Sequence, residues 1–286
     1  MIRKPIVAGQ FYPASKEDLN KQIKDSFLHG VGPGKIPGDK RKGRIKAIIA
    51  PHAGYMFSGP AAAWAYKEIA ESELADLYIV VSPNHTGFGK SSICAEDYET
   101  PLGVVKTDKE MCKRIAEETQ LVEDSVSHMN EHSVEVQIPF LQFACRDRID
   151  LLRIVPIVLS GDIDCAKLGK DLKKAIEKSG KNVVIIVSSD MTHFGWNYGY
   201  MPFEEDIKKN LYKMDRETIK FIEKSDSQGF EKRLDEIKGT VCGRIPIVML
   251  LNTVKADKIE LLKYYTSADI IGDYTNAVGY AALVFK

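Results

Sequence analysis

Short apolar runs alternate with amphipathic stretches along most of the chain. Leu77–Ser82 and Asn182–Ser188 are apolar at successive positions rather than at every second one. That is the pattern of strands covered by helices on both faces. The same reading predicts strands over Ile45–Ala50, Leu151–Leu159 and Ile259–Tyr265. Between them, apolar residues recur at three- and four-residue spacing. This predicts helices over Lys16–Leu28, Ala61–Glu71, Lys109–Glu118, Ser133–Cys145, Ala166–Ser179, Glu204–Glu223 and Arg244–Val254. Strand and helix in alternation imply an α/β fold: a doubly wound, mostly parallel sheet with helices on both faces. Two segments break the rhythm. Ser91–Lys106 reads as a hairpin turning at Thr100–Gly103, and Asn276–Phe285 reads as a last strand. The sheet is therefore expected to be mixed, with an antiparallel part near one edge.

Length and charge narrow this picture. A chain of 286 residues suits two average domains or one large α/β domain. No repeat or long linker divides it, and both counts stay open on this ground. Lys plus Arg and Asp plus Glu are each 40, giving zero formal net charge. A general nucleic-acid binder carries a basic excess, so nucleic acid is not an expected partner. No apolar run reaches the roughly 18 residues of a membrane-spanning helix. The first residues do not read as a secretion signal. The one Gly/Pro/basic stretch, His29–Arg44, predicts an exposed loop. Its basic run at 40–44 offers a phosphate contact, although a solvated loop is the simpler reading.

Five cysteines, Cys94, Cys112, Cys145, Cys165 and Cys242, make an odd count with no Cys-x-x-Cys pair. No disulfide framework is expected, and a reducing cytoplasm is the expected compartment.

The chemistry collects where strands end. The first predicted strand runs into Pro51-His52, the second into Asn84-His85, and the Asn182–Ser188 strand into Asp190 and His193. Ligands of open parallel sheets bind at the carboxyl ends of the strands. The three histidines should therefore converge, with Gly54, Gly87 and Gly195 permitting sharp turns. Cys242 precedes a predicted helix beginning near Arg244. A helix N-terminus and a neighbouring Arg lower a thiol's pKa, so Cys242 is a candidate thiolate. His128, His132 and Glu135 have helical spacing. Of these, His132 is the expected pocket residue and His128 the expected loop or surface histidine. His29 reads as incidental. A nucleophile elbow, a Gly-x-Gly-x-x-Gly turn and a Walker loop are all absent. Imidazoles with one anionic ligand instead suit a metal that keeps open positions, as in non-haem iron sites. A histidine left free of the metal, His193, would serve as acid or base, with Asp190 to orient it.

The chain resembles the Memo family, named for a mediator of ErbB2-driven cell motility. The motifs that carry the resemblance are Val7–Pro13, Pro51–Tyr55 with Ser58-Gly59, Pro83–Gly87, Glu99–Gly103, Glu131–Leu141, Ser188–Gly195 and Cys242-Gly243. They span nearly the whole length. The family is similar in fold to LigB-like class III extradiol dioxygenases. The resemblance implies one α/β domain over 1–286 with a pocket at the strand ends, and a metal, iron or copper, held by His52, His85 and Cys242. It places Asp190, His193 and His132 around the same pocket. One departure stands out: Cys242 occupies the place where the dioxygenases use a carboxylate. A thiolate is softer and oxidisable, so catechol cleavage does not carry over. The animal member resembles an adaptor that binds phosphotyrosine peptides.

Two functions from different classes follow. The first is a metal-dependent, dioxygenase-like redox enzyme. His193, Asp190 and His132 would then be its catalytic residues, a small polar or aromatic molecule its substrate, and Tyr55 and Phe194 its pocket walls. The second is a non-catalytic module that captures a peptide, a phosphate or a partner protein. A metal carrier using the thiolate is a third, narrower option.

Overall fold

The computed structural model describes residues 1–38 and 41–286. In chain order its elements begin with β1 (Ile2–Arg3), α1 (Lys16–Leu28), β2 (Ala47–Ala50), α2 (Tyr55–Glu71) and β3 (Leu77–Pro83). Then come β4 (Ser92–Ile93), β5 (Asp97–Thr100), β6 (Gly103–Thr107), α3 (Lys109–Glu118), β7 (Val122–Glu123), α4 (Val126–Met129) and α5 (Gln137–Ala144). They continue through β8 (Arg153–Leu159), α6 (Cys165–Ser179), β9 (Val183–Ser188), β10 (His193–Gly195), α7 (Ile207–Glu223) and α8 (Ser227–Ile237). The chain closes with α9 (Arg244–Thr253), β11 (Ile259–Thr266), α10 (Ser267–Ile271) and β12 (Asn276–Phe285).

The strands form one mixed sheet in the order β1-β5-β6-β8-β3-β9-β2-β12-β10, with β11 on β12 and β4 on β8. The run from β6 to β2 is parallel. β12 turns antiparallel to β2, β10 and β11. On the opposite side, β5 and β6 form the expected hairpin, with Thr100 facing Gly103. Antiparallel pairing thus occurs toward both edges, not one. A strand that pairs only at its end with the parallel centre is free to reverse, whereas β8, β3 and β9 each need a crossover helix.

Alternation inside the fully buried strands builds two cores. Ile48 and Ala50 of β2 face one apolar layer with Ile23, Phe27, Ala63, Tyr66 and Phe140, so α1, α2 and α5 lie there. Ala47 and Ile49 face the other layer, with Met111, Leu168, Leu172, Ile219, Phe230 and Met249. Helices α3, α6, α7, α8 and α9 cover that side. Such burial stabilises by about 1.5–3 kcal/mol per large aliphatic side chain.

Several expected boundaries move. α2 begins at Tyr55, six residues before the expected start, and carries Pro60 inside it. α5 begins at Gln137; 133–136 are turns that lead into it, with Val136 N–H on the His132 carbonyl at 2.9 Å, while 131–132 are irregular. His128, in α4, and His132 therefore do not share a helix face. α8 was not expected. The loop 29–44 is irregular among its described residues. Lys40, the first residue of its basic run, lies outside them. Arg41 pairs with Asp147, and Arg44 pairs with Glu73 at 2.7 Å. No helix among the described residues is long and apolar enough to cross a membrane.

A candidate metal centre at the sheet's carboxyl edge

β3, β9 and β2 are neighbours at the centre of the sheet. Their carboxyl ends release the three loops that carry His85, Asp190 with His193, and His52. A fourth loop, just before α9, brings in Cys242, because α9 packs across β3 and β9. The cavity beside the first three loops measures 440 Å³. Its wall includes His52, His85, His132, Asp190 and His193, with Phe11, Phe57, Tyr198 and Tyr280.

The histidine tautomers follow from their partners. The Nδ1 of His52 lies 2.8 Å from Ser188 Oγ. Ser188 commits its own proton to the Ser133 carbonyl at 2.7 Å, and its oxygen also accepts from Gln137 Nε2. The hydroxyl has no proton left for His52. His52 therefore donates from Nδ1, and its Nε2 faces the cavity as a lone pair, 3.2 Å from Cys242 Sγ. His85 places Nδ1 at 3.0 Å from Glu131 Oε1. Burial disfavours the Glu131 carboxylate, but His85 and the Ser133 N–H outweigh it and hold the pKa near about 2. Glu131 is thus an acceptor only, and His85 also turns a bare Nε2 inward. His193 Nδ1 lies 3.1 Å from the carbonyls of both Met191 and Thr240. Carbonyls only accept, so His193 also donates from Nδ1. Ligand atoms of His52, His85 and Cys242 all lie within 4.8 Å of one another. Two bare imidazole nitrogens and a thiol at that spacing fit one transition-metal ion. A second set, His85, Glu131 and His132, meets the same spacing criterion.

Burial also sets the charges. It pushes the His52 pKa well below the usual imidazole range, and the His85 and His132 rings add to the effect. Burial lowers His132 as well, against the pull of Glu131. Asp190 is raised by burial, with His193 opposing.

Two expectations about Cys242 and Asp190 need correction. The Cys242 thiol is raised well above its usual range, not lowered. Burial is the main cause and the Asp190 carboxylate adds to it. Arg244 gives no help, because it pairs with Asp235 at 2.7 Å. The sulfur accepts the Asp190 main-chain N–H at 3.0 Å, which does not offset burial. A metal must therefore displace the thiol proton. Asp190 does not hydrogen-bond the His193 ring. Its carboxylate accepts the His52 main-chain N–H at 2.9 Å and so pins the His52 turn.

Other placements differ from expectation. His132 is a pocket residue, stacked at 4.9 Å on the His85 ring and 4.7 Å from Phe11. His128 is buried, not on the surface: Tyr98 Oη lies 2.9 Å from its Nδ1, and its Nε2 is 3.3 Å from the Ser92 carbonyl. Glu135 faces away from the cavity and holds Arg3, Tyr12 and the Ile6 and Val7 N–H groups. Tyr55 and Phe194 are core residues and not pocket walls. Their places are taken by Phe57, two residues on in the first turn of α2, and by Tyr198, in the short turn after β10. Gly195 does act as expected: its φ is +120°, and a Cβ there would sit 2.3 Å from the Thr275 carbonyl.

The model of Memo-like proteins matches residues 3–284. The chain belongs to the Memo family. A MEMO1 family protein of Methanopyrus kandleri is 38% identical over 296 residues, covering 100% of this chain and 99% of that one. One from Thermotoga neapolitana is 38% identical over 295 residues, covering 100% of each. An uncharacterized protein of Escherichia coli K12, known from its crystal structure, shares the fold. The TM-score is 0.54 at 12% identity, covering 85% of this chain and 100% of that one.

Several functional residues of this Memo family chain escaped the sequence reading. Phe11 lies in the Val7–Pro13 motif, which gave no reason of its own to place a ring in the pocket. Ser188 is the last residue of an apolar strand and looked like its terminus. Thr240 brackets His193, accepting its N–H at 2.9 Å and donating to its carbonyl at 2.8 Å. The only available signal was two residues' distance from Cys242.

Proposed function

We propose that this protein is a metal-dependent redox enzyme, with iron or copper held by His52, His85 and Cys242. The observation that carries this reading is the convergence of two bare Nε2 lone pairs on one thiol, each fixed by a partner behind the ring. A metal there supplies a redox-active Lewis acid with positions left for exogenous ligands. The chain's own residues supply the rest. His193 presents Nε2 to the cavity and accepts a proton from the substrate. Its Nδ1–H stays on two carbonyls, which hold the ring through the transfer. Asp190 keeps the His52 turn in place and donates its main-chain N–H to the sulfur. His132 lies between the His85 ring and Phe11, where it contacts the substrate or relays a proton. Phe11, Phe57, Tyr198 and Tyr280 suit a small planar molecule, with Ser267 and Asn276 as polar contacts.

Capture of a phosphate or phosphopeptide is the second reading. It is less well supported, because the described wall of the cavity contains neither Lys nor Arg. A larger hollow of 730 Å³ is bordered by Lys35, Lys42, Arg44 and Lys286, with Glu68 and Glu71 among them. There Arg44 is paired with Glu73, and Lys286 with Glu68 and Glu260.

An oxygen electrode with metal-loaded protein and a panel of small oxidisable aromatics tests the enzyme reading. His193→Ala should keep its metal and lose about 10²–10⁴-fold in turnover. His52→Ala should lose both. Undiminished turnover in His193→Ala removes the acid–base role. Uptake by neither wild type nor variants, with a phosphopeptide bound tightly, favours the second reading.

A further inference from the structure

Glu131 stands between two of the pocket histidines without belonging to the proposed ligand set. Its Oε2 accepts the main-chain N–H of His85 at 2.5 Å. Its Oε1 accepts from His85 Nδ1 at 3.0 Å and from the Ser133 N–H at 2.9 Å. The same oxygen lies 3.4 Å from His132 Nδ1. The side chain has no exposed surface. A carboxylate in this place is either a ligand or a support for one, and the contacts decide. Both oxygens already face the positive ends of N–H dipoles. A cation on them would have to displace three hydrogen bonds, two of them from the backbone. Glu131 is therefore a support.

His52 has the matching device, built from a hydroxyl. Ser188 receives the His52 Nδ1 proton and gives its own to the Ser133 carbonyl. The two tethers meet at one residue: the Ser133 N–H is held by Glu131 and its carbonyl by Ser188. Ser133 Oγ also donates to the Pro83 carbonyl at 3.0 Å. The strap 131–133 thus ties the end of β3 to the end of β9. This explains why the segment is irregular and buried, not helical.

We propose that Glu131 is a positioning residue that presets His85 as an Nε2 ligand, with Ser188 doing the same for His52 through the shared Ser133. This rests on the metal reading above and concerns how tightly the metal is held. The tethers differ in charge. A carboxylate behind an imidazole raises its basicity, whereas a hydroxyl only orients it. Loss of the Glu131 charge should therefore weaken the site more than loss of the Ser188 hydroxyl, and the ligands themselves should not change.

Cobalt(II) titration of metal-free wild type, Glu131→Gln and Ser188→Ala tests this, with a competing chelator to fix the affinity. The thiolate-to-cobalt absorption band reports Cys242, and thermal melting of the metal-free proteins reports the fold. We expect Glu131→Gln to keep the band and bind cobalt about 10–100-fold more weakly. Ser188→Ala should keep the band and lose less. In the iron- or copper-loaded protein, Glu131→Gln should also shift the reduction potential upward, because negative charge behind His85 favours the oxidised metal. A purely structural strap would leave the potential in place. Wild-type affinity in Glu131→Gln overturns the proposal. So does a changed cobalt ligand-field spectrum at full occupancy, which would make Glu131 a ligand. If Glu131→Gln melts early without metal, Ser188→Ala decides: unchanged affinity there overturns the proposal. Wild type that binds no cobalt overturns the metal reading, and this inference with it.

Discussion

His52, His85 and His193 each give an Nδ1 proton to the protein and keep Nε2 for the cavity. Their positions were legible because each follows a strand end, where a parallel sheet collects its ligands. Their partners were not. Ser188, Glu131 and Thr240 act across the fold; Ser188 and Glu131 stand in recognised motifs, but nothing in the sequence says which histidine each one holds. His128 shows the reverse error. Its loop context suggested an exposed ring, yet it is buried and neutral, accepting from Tyr98 and donating to Ser92. Burial lowers its pKa to about 4. In the unfolded chain it titrates near 6.5. Between those values the unfolded state binds the extra proton, so stability rises with pH across that window. About 3 kcal/mol should be lost as the pH falls from about 6.5 to about 4. Urea unfolding at both pH values should show that part of the loss disappear in His128→Asn. An unchanged pH dependence in the variant would count against the buried neutral ring.

Strands were easier to read than helix starts. β12 matches its expected span, and β3 and β9 are within one residue of theirs, because unbroken apolar runs leave little choice of boundary. α2 runs through Gly59 and Pro60, residue types that usually mark an end. Here Gly59 lets α1 approach: a Cβ would sit 2.5 Å from Ser26 Oγ. The helix expected from Ser133 starts at Gln137, although turn bonds such as Val136 N–H to the His132 carbonyl at 2.9 Å already precede it; the Ser133 N–H is held by Glu131 instead. Gly169 of α6 belongs with these contacts. A Cβ there would meet the Met249 carbonyl at 2.5 Å and Asn252 Cβ at 2.7 Å. These are backbone and near-backbone atoms of α9, the helix that carries Cys242 at its start. Gly169→Ala should therefore destabilise the fold by about 1–3 kcal/mol, as overpacking does. It should also weaken metal binding through Cys242. Thermal melting and cobalt affinity check this, and a variant as stable as wild type would show that α6 and α9 can part without cost.

The molecule as a whole joins residues 190 positions apart, His52 and Cys242, at one edge of one sheet. The β3-β9-β2 neighbourhood does this, and Memo family membership was readable from the motifs that line it. The sheet order and the Cys242 environment were not readable. A helix start was expected to lower the thiol's pKa, but the cost of burying charge exceeds the gain from a few N–H dipoles. Under the proposed function, a metal bound there would be the partner that keeps the thiolate. Elemental mass spectrometry of untagged protein, purified and loaded without oxygen, tests this most directly. Wild type, His85→Ala and Cys242→Ser would be compared after identical reconstitution. The account predicts one iron or copper ion per wild-type chain and loss of most of it in both variants, with the fold intact by melting. Full occupancy in both variants, or no metal in the wild type after reconstitution, would contradict it.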